Sequence, residues 1–232
     1  MKVLLFYRSF RQQEEIGISA GLLSQTKTLK NFDLTLHCNN IESNIWSYFS
    51  KFPNKNKELI HTSRNAGYLK GCFQSLSRNY HNFKKYDYVV HLQADVFILN
   101  EDQIIKILNE YKHTKDVFIC TKSKPDERFL SFDFFIFKPK LLEENIFNRW
   151  SNEWFNRETL EFNPNSTNTL TNRALPPEYL LYKILTVEKI PYKLIKRFDN
   201  DQWHPRRIDL LNLWHEHDLD KVKNYISSNS LL

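Results

Sequence analysis

Short apolar runs alternate with segments of helical periodicity along the first half of this sequence. Residues 2–7 (KVLLFY) and 86–92 (YDYVVHL) have the length and the apolar content of buried strands. Residues 14–30 and 65–80 instead carry apolar side chains at roughly helical spacing. Strands that alternate with helices form parallel sheets with helices on both faces. The sequence therefore predicts the α/β class, with a central, mostly parallel mixed sheet flanked by helices.

Other segments extend this pattern. Strands are predicted at residues 32–38, 58–62, 116–120, 131–138 and 191–196, and helices at residues 41–52, after Asn100, at 177–188 and from residue 219 onward. No internal repeat, low-complexity tract or linker interrupts the sequence, which predicts one domain over residues 1–232. Ligands of such sheets bind at the carboxyl ends of the strands, so polar residues at those ends are the first candidates for function.

Glycine is scarce in this chain. The sequence has four glycines, Gly17, Gly21, Gly67 and Gly71, whereas average usage is about 7%. A dinucleotide-binding fold needs GxGxxG and a P-loop needs GxxxxGK(S/T), because glycine lets the backbone approach a phosphate closely. Neither string occurs. The sequence therefore excludes both phosphate-binding classes, and it also excludes collagen-like and disordered chains.

Charge and cysteine content bear on partners and compartment. The formal net charge is +6, from 33 Lys and Arg against 27 Asp and Glu. This balance favours a polyanionic partner, which could be nucleic acid, an anionic membrane or a phosphorylated small molecule. Cys38, Cys72 and Cys120 lack CxxC spacing, which fits a reducing setting. The apolar start is too short for a signal peptide and no stretch could span a membrane. We therefore expect a soluble, cytoplasmic protein.

A lone carboxylate follows the most apolar predicted strand. Asp95 lies just beyond residues 86–92 and just before the apolar residues 96–98. A carboxylate among apolar neighbours is costly unless it is paired or bound to a metal ion. The alternative is an aspartate that forms a turn or caps a helix.

Residues 86–97 resemble the DxD segment of GT-A nucleotide-sugar glycosyltransferases, in the pattern aromatic-Asp-Tyr-Val-Val-x-Leu-x-x-Asp-Val-Phe. In that family, one or two aspartates at a strand end hold a divalent cation on the nucleotide diphosphate, where the cation neutralises the leaving group. Gln93 stands where the first aspartate of the motif would be, so the match falls on Asp95. The resemblance implies Mn²⁺ or Mg²⁺ as cofactor, with Gln93 and Asp95 in the donor site.

Residues 63–76 (SRNAGYLKGCFQSL) resemble the Asn-x-Gly segment that leads into a helix in the same family and meets the base or ribose. The resemblance implies donor binding by Asn65 and Gly67, and Arg64 and Lys70 could pair with phosphate oxygens. The alternative is a plain junction between a loop and a helix. Further donor-binding candidates lie at predicted strand ends and in the C-terminal part of the chain: Tyr7, Arg8, Asn39 and Arg206.

Two acids are candidates for catalysis. Asp133 interrupts the run 129–139 (FLSFDFFIFKP), which resembles a Ser-x-Asp-Phe-Phe run near the donor sugar or acceptor in viral and bacterial glycosyltransferases. Glu178 opens a predicted helix behind two prolines, in a region where inverting GT-A enzymes often keep the base that deprotonates the acceptor. The alternatives are an aspartate on the solvent side of an edge strand, and a glutamate whose charge favours the helix dipole.

A histidine pair lies near the C-terminus. His215 and His217 belong to the segment 213–220 (LWHEHDLD). GT-A enzymes often complete their cation site with a histidine from this part of the chain, and neutral imidazole is an ordinary metal ligand. The alternative is a solvated polar turn. Upstream, Arg197 and Arg206 could offset diphosphate charge or lie on the surface.

Taken in order, these residues predict a compact GT-A glycosyltransferase, in which residues 1–125 bind the nucleotide sugar and residues 126–232 bind the acceptor. We expect metal-assisted transfer from a nucleotide-diphosphate sugar, such as a UDP-sugar, to a glycan or polysaccharide. One alternative is a sugar nucleotidyltransferase, which usually has a Gly-rich loop after the first strand, where this chain reads YRSFRQQEE. The other is a basic nucleic-acid-binding protein, which would concentrate Lys and Arg in a stripe or motif. No such motif occurs, so we expect no nucleic-acid partner.

Overall fold

Helices and strands alternate along the first half of the chain, as the sequence predicts. The computed structural model describes residues 1–9, 14–39, 45–62, 68–122, 127–144, 146–150, 177–197 and 208–231. The strands are β1 (Val3–Ser9), β2 (Asp33–Cys38), β3 (Lys57–His61), β4 (Tyr88–Gln93), β5 (Val96–Ile98), β6 (Phe118–Lys122), β7 (Leu130–Phe137), β8 (Tyr192–Ile195) and β9 (Leu213–His215). The α-helices are α1 (Glu14–Gln25), α2 (Ile45–Ser50), α3 (Tyr68–Phe83), α4 (Asp102–Glu110), α5 (Ile146–Arg149), α6 (Pro177–Val187) and α7 (Leu219–Ser228), with short 3₁₀ turns at Leu29–Asn31 and Pro139–Leu141.

Most of the strands form one mixed sheet, in the order β3-β2-β1-β4-β7-β6-β8. Neighbours from β3 to β4 are parallel, as are β6 and β8, whereas β7 is antiparallel to both β4 and β6. Parallel neighbours need crossover connections, which α1, α2 and α3 supply in the first half of the chain. This arrangement confirms the predicted mostly parallel, mixed sheet flanked by helices.

Helices cover both faces of the sheet, which explains why its central strands are apolar throughout. Every residue of β1 is buried, and its successive side chains point to opposite faces. Leu5 packs in a cluster with residues of α1, α2 and α4, and Phe6 in a cluster with residues of α3, α5 and α6. The second cluster is rich in rings: Phe6 and Phe83 pack edge to face with centroids 4.9 Å apart. Trp150 is buried in the same cluster, so it is a core residue.

A small two-stranded sheet lies beyond the end of β4. Strand β5 pairs antiparallel with β9, and Val96 is opposite His215. The side chains of Phe97 and Trp214 pack in an apolar cluster with residues of α1 and α7. Helix α7 begins just after Asp218, whose side chain caps it. These contacts hold β9, and with it the histidine pair, against the end of β4.

The described helices also bear on membrane association. None of them combines the length and the apolarity that a membrane crossing needs, within the ranges given above.

Candidate metal centre

Asp95 lies in the turn that joins β4 to β5, at the carboxyl end of a central strand. Strand β1 ends beside it: Arg8 is opposite Gln93 in parallel register, and the N–H of Ala94 donates to the Arg8 carbonyl at 2.9 Å. The N–H of Glu216, just after β9, donates to the carbonyl oxygen of Asp95 at 3.2 Å. The backbone therefore fixes Asp95 at the edge where ligands of parallel sheets bind.

The side chains of Asp95, His215 and His217 converge. Oδ2 of Asp95 lies 3.1 Å from Nε2 of His217 and 3.4 Å from Nε2 of His215. The two Nε2 atoms are 3.1 Å apart, and the three residues each offer a ligand atom within 4.8 Å of the others. One carboxylate oxygen and two imidazole nitrogens at these distances form a donor set that could hold a divalent cation.

The second carboxylate oxygen of Asp95 supports this assignment. Oδ1 is buried and has no hydrogen-bond partner among the described residues. Leaving a buried acceptor without a partner costs about 1–3 kcal/mol, and more for a charged group. A bound cation would remove that cost, so the residues present fit a metal ion.

Charges within this group reinforce one another. Burial by itself raises the pKa of Asp95, but the hydrogen bonds and charges of His215 and His217 outweigh burial and hold that pKa well below its usual range. Burial lowers the pKa of His215, whereas Asp133 and Asp95 outweigh it and raise the pKa to about 10. A cation bound by Nε2 of His215 would take the place of a proton there, because only neutral imidazole is a metal ligand.

A buried row of charged groups lies behind His215. Oδ2 of Asp133 is 3.2 Å from Nδ1 of His215. Nη1 of Arg197 donates to both oxygens of Asp133, at 3.0 and 2.8 Å, and Nε of Arg197 donates to Asp209. The hydroxyl of Ser131 also donates to Asp133. The Arg197 side chain is only 3% exposed, so the alternative of a surface position for Arg197 is wrong.

The pairing of β6 with β7 shifts its register in the part of β7 that carries Asp133. Strand β7 lies between β4 and β6, so it is not an edge strand and the solvent-side alternative for Asp133 is wrong. From the Cys120–Phe135 pair, a regular antiparallel ladder would set Lys122 opposite Asp133, but Lys122 is opposite Leu130. Such bulges re-aim side chains and are common next to active sites.

The other predicted donor-binding residues differ in their surroundings. Gln93 is half-buried at the end of β4, and Asn39 is buried just beyond β2. Tyr7 is buried in the core, where its ring packs against Phe52 with centroids 5.5 Å apart. Outside the described residues lie Arg64, Asn65, Gly67 and Arg206, together with the side chain of Lys70. Donor contact by these residues stays a prediction.

Arg8 and Glu178 lie near α3. Arg8 is buried, donates to Sγ of Cys72 and has its guanidinium carbon 5.5 Å from the ring centre of Phe132. Burial is the main cause that raises the pKa of Cys72. The charge and hydrogen bond of Arg8 oppose this rise, and the negative charge of Glu178 adds to it. Glu178 is the second residue of α6 and is half-buried. Its role as a catalytic base stays a prediction.

Sequence reasoning missed Asp209 and the burial of Arg197. Asp209 is buried in the turn before β9, and its Oδ1 accepts hydrogen bonds from the N–H groups of Leu211 and Leu213, at 2.8 and 3.0 Å. In the sequence it stands in IDLLNL, an acid among apolar residues. The same signal that singles out Asp95 could therefore have found it.

Comparisons with known proteins show the fold. No protein-family model matches the sequence, and a search of curated proteins finds no match either. Mouse xyloside xylosyltransferase 1, in its apo form, is similar with a TM-score of 0.58 and 10% identity, over 94% of this chain and 99% of that chain. A cytidylyltransferase from Leptospira borgpetersenii is similar with a TM-score of 0.54 and 16% identity, over 98% and 87%. The galactosyltransferase LgtC, in complex with donor and acceptor sugar analogues, gives 0.52 and 9%, over 84% and 73%. The chain therefore has the GT-A fold.

Proposed function

We propose that this protein is a metal-assisted glycosyltransferase that moves a sugar from a nucleotide-diphosphate sugar to a glycan or polysaccharide acceptor. The observation that carries the proposal is the group of Asp95, His215 and His217 at the carboxyl end of β4. Ligands of an α/β sheet bind at that edge, and a divalent cation there would bind phosphate oxygens. The donor that we propose is a UDP-sugar.

Each part of the site has a task in this proposal. The cation, when bound, would neutralise charge on the diphosphate leaving group. Asp95 and the two histidines would hold the cation, so its ligands would come from both the donor half (1–125) and the acceptor half (126–232). Positive charge near the diphosphate would stabilise the departing nucleotide. The residues proposed for this charge, and for further donor contacts, are Arg8, Arg64, Lys70 and Arg206, with Tyr7, Asn39, Asn65, Gly67 and Gln93.

The acceptor hydroxyl needs a group that takes its proton as it attacks the anomeric carbon. Burial raises the pKa of Asp133, but the charge of Arg197 and the hydrogen bond and charge of His215 outweigh it and hold that pKa well below its usual range. A carboxylate so stabilised is a weak base. We therefore propose Glu178 as the base.

The variant Glu178→Gln, which lacks the carboxylate that would take the proton, should lower kcat while leaving Mn²⁺ affinity unchanged.

Asp95→Asn tests the proposal directly. The substitution keeps the size of the side chain but removes the negative charge that would hold the cation. We expect UDP release from a UDP-sugar in the presence of Mn²⁺ to fall by about 100-fold or more. Asp102→Asn, at an exposed position in the first turn of α4, is a control that should keep wild-type turnover. Full turnover by a folded Asp95→Asn variant would remove the metal group from the mechanism.

The shared fold of the cytidylyltransferase keeps a sugar nucleotidyltransferase as the second candidate. Such an enzyme would release pyrophosphate from a nucleoside triphosphate and a sugar phosphate, whereas a glycosyltransferase would release UDP from a UDP-sugar. Both products can be measured in parallel with Mn²⁺ present. Pyrophosphate release without UDP release would replace our proposal with the second candidate.

A further inference from the structure

We propose that Arg197 and Asp209 are positioning residues for the metal centre, and that they act through Asp133 on the ring of His215. The inference rests on the proposed function only because it takes Asp95, His215 and His217 as metal ligands. Arg197, Asp209 and Asp133 would set how well those ligands hold the cation.

Asp133 is in direct contact with the ring of His215. One ring nitrogen of His215, Nε2, faces Asp95, and the other, Nδ1, lies 3.2 Å from Oδ2 of Asp133. A histidine that binds a metal through one nitrogen usually donates the N–H of the other to a carboxylate or carbonyl, which fixes the ring orientation and the tautomer. Asp133 is placed to do this for His215, with Nε2 left as the ligand atom.

Arg197 holds Asp133 in this position. Nη1 of Arg197 lies 2.8 and 3.0 Å from the two oxygens of Asp133, and it also donates to the hydroxyl of Ser131 at 2.9 Å. Both members of the Arg197–Asp133 pair are almost fully buried. Buried, charge-assisted hydrogen bonds of this kind are short and directional, so Asp133 cannot turn away from His215 without breaking them.

Asp209 in turn anchors Arg197. One of its oxygens accepts from Nε of Arg197, and the other accepts the N–H groups of Leu211 and Leu213. The N–H of Asp209 in turn donates to the carbonyl of Leu213 at 2.9 Å. Leu213 is the first residue of β9, the strand that ends at His215. Asp209 therefore ties the backbone of β9 and the Arg197–Asp133 pair to the same point.

Charge balance explains why the arrangement suits a cation. Asp95, Asp133 and Asp209 bring three buried carboxylates to this region, and Arg197 brings one permanent positive charge. Buried charges need compensation. With Arg197 shared between two acids, the remaining negative charge is directed at His215 and at the ion that His215 and Asp95 would hold.

The test is Mn²⁺ binding by the full chain, measured by electron paramagnetic resonance of free Mn²⁺. Arg197→Lys keeps the positive charge but loses the fork that reaches both acids. Asp209→Asn keeps an oxygen for the two backbone N–H groups but loses the negative charge. We expect each variant to bind Mn²⁺ about 10- to 100-fold more weakly than the wild type.

Arg149→Lys is the matched control. Arg149 forms an ion pair with Glu188 at 2.6 Å, between α5 and the turn after α6, so the same substitution there should leave Mn²⁺ affinity unchanged. Wild-type affinity in folded Arg197→Lys and Asp209→Asn would overturn the proposal. If neither variant folds, near-isosteric Asp133→Asn replaces them: a 10- to 100-fold loss supports the proposal, and wild-type affinity overturns it.

A second readout follows the contact between Asp133 and His215 directly, and backbone amide exchange measured alongside it reports any general loss of stability. Nuclear magnetic resonance of the metal-free protein can follow how fast the Nδ1 proton of His215 exchanges with water. We expect slow exchange in the wild type and in Arg149→Lys, and faster exchange in Arg197→Lys. If the wild type binds no Mn²⁺, the metal-assisted function fails by itself. The exchange measurement then still decides whether Arg197 acts through Asp133 on the ring of His215, because equal rates in the wild type and Arg197→Lys overturn that coupling.

Discussion

The two histidines of the metal group have different surroundings. The side chain of His215 is 18% exposed, with one ring nitrogen facing Asp95 and the other facing Asp133. The side chain of His217 is 57% exposed, and its Nε2 faces Asp95. The carboxylate of Glu216 accepts the backbone N–H of His217 at 3.0 Å. The ring of His215 is therefore fixed on both sides, whereas protein contacts fix His217 chiefly through its backbone and one nitrogen.

This difference predicts unequal losses when the histidines are removed. His215→Ala removes a buried ligand that water cannot easily replace, so we expect Mn²⁺ affinity to fall by about 100-fold or more. His217→Ala leaves an exposed position that water can fill, so its loss should be smaller. Isothermal titration calorimetry with Mn²⁺ measures both, and His113→Ala, an exposed histidine after α4, serves as the control. A larger loss for His217→Ala would contradict this ranking.

At the scale of elements, a buried carboxylate links α4 to the loop after α1. Glu101 precedes the first residue of α4, and its side chain accepts hydrogen bonds from the backbone N–H groups of Lys27, Thr28 and Leu29 at 2.7, 3.0 and 2.8 Å. These groups open the 3₁₀ turn Leu29–Asn31. A carboxylate at a helix start satisfies N–H groups that have no partner within the helix. Glu101 thereby fixes the chain between α1 and β2 against the start of α4.

Glu101→Gln should therefore destabilise the fold without changing the group of Asp95, His215 and His217. Glutamine keeps one acceptor oxygen but lacks the charge, and hydrogen bonds to a charged group contribute about 1.5–3 kcal/mol. We expect the free energy of unfolding in urea to fall by roughly that amount. Glu110→Gln, at an exposed position at the end of α4, should unfold like the wild type. Identical unfolding midpoints for the two variants would show that the charge of Glu101 adds nothing to these backbone contacts.

The elements also show how far sequence reasoning reaches. Strands β1, β4 and β7 are long apolar runs, and local periodicity is enough to predict them. Strand β9 has three residues, Leu213–His215, and exists because Val96 and its neighbours pair with it across more than a hundred residues of sequence. No local pattern carries that pairing. The burial of Arg197 is hidden for a similar reason. Its acidic partners lie 64 residues away, at Asp133, and 12 residues away, at Asp209, beyond the reach of any local pattern.

The candidate site likewise has features that the sequence could predict and features that it could not. Asp95, His215 and His217 could be proposed because each residue type suits a cation, and the structure brings the three together. Which acid faces which histidine depends on the offset register of β7 and on the turn that carries Asp209, so the contacts of Asp133, Arg197 and Asp209 could not be proposed. The sequence therefore predicts which residue types suit a metal ion, but not which of these residues contact one another.

At the scale of the whole molecule, scarce glycine and positive charge both bear on how this chain could bind a diphosphate. The chain has four glycines, so it lacks the glycine-rich loops with which other folds hold phosphate. Its net charge is +6. The metal group offers another way to compensate a diphosphate, because a cation held by Asp95 and the histidines can neutralise it directly. A ligand that binds the folded chain and not the unfolded one stabilises the fold. Cation and nucleotide should therefore stabilise the folded chain together.

Mn²⁺ with UDP should raise the unfolding temperature of the whole chain. A ligand at 100 times its Kd adds about 2.7 kcal/mol to the stability of the folded state, and a domain of this length gains about 2–4 °C in Tm per kcal/mol. We expect a rise of roughly 5–10 °C in differential scanning fluorimetry, reversed by a chelator. Asp95→Asn should show little of this shift, because it lacks the charge that holds the cation. An oligonucleotide that stabilises the chain where Mn²⁺ and UDP do not would instead favour the nucleic-acid alternative, since the +6 charge would then serve a different polyanion.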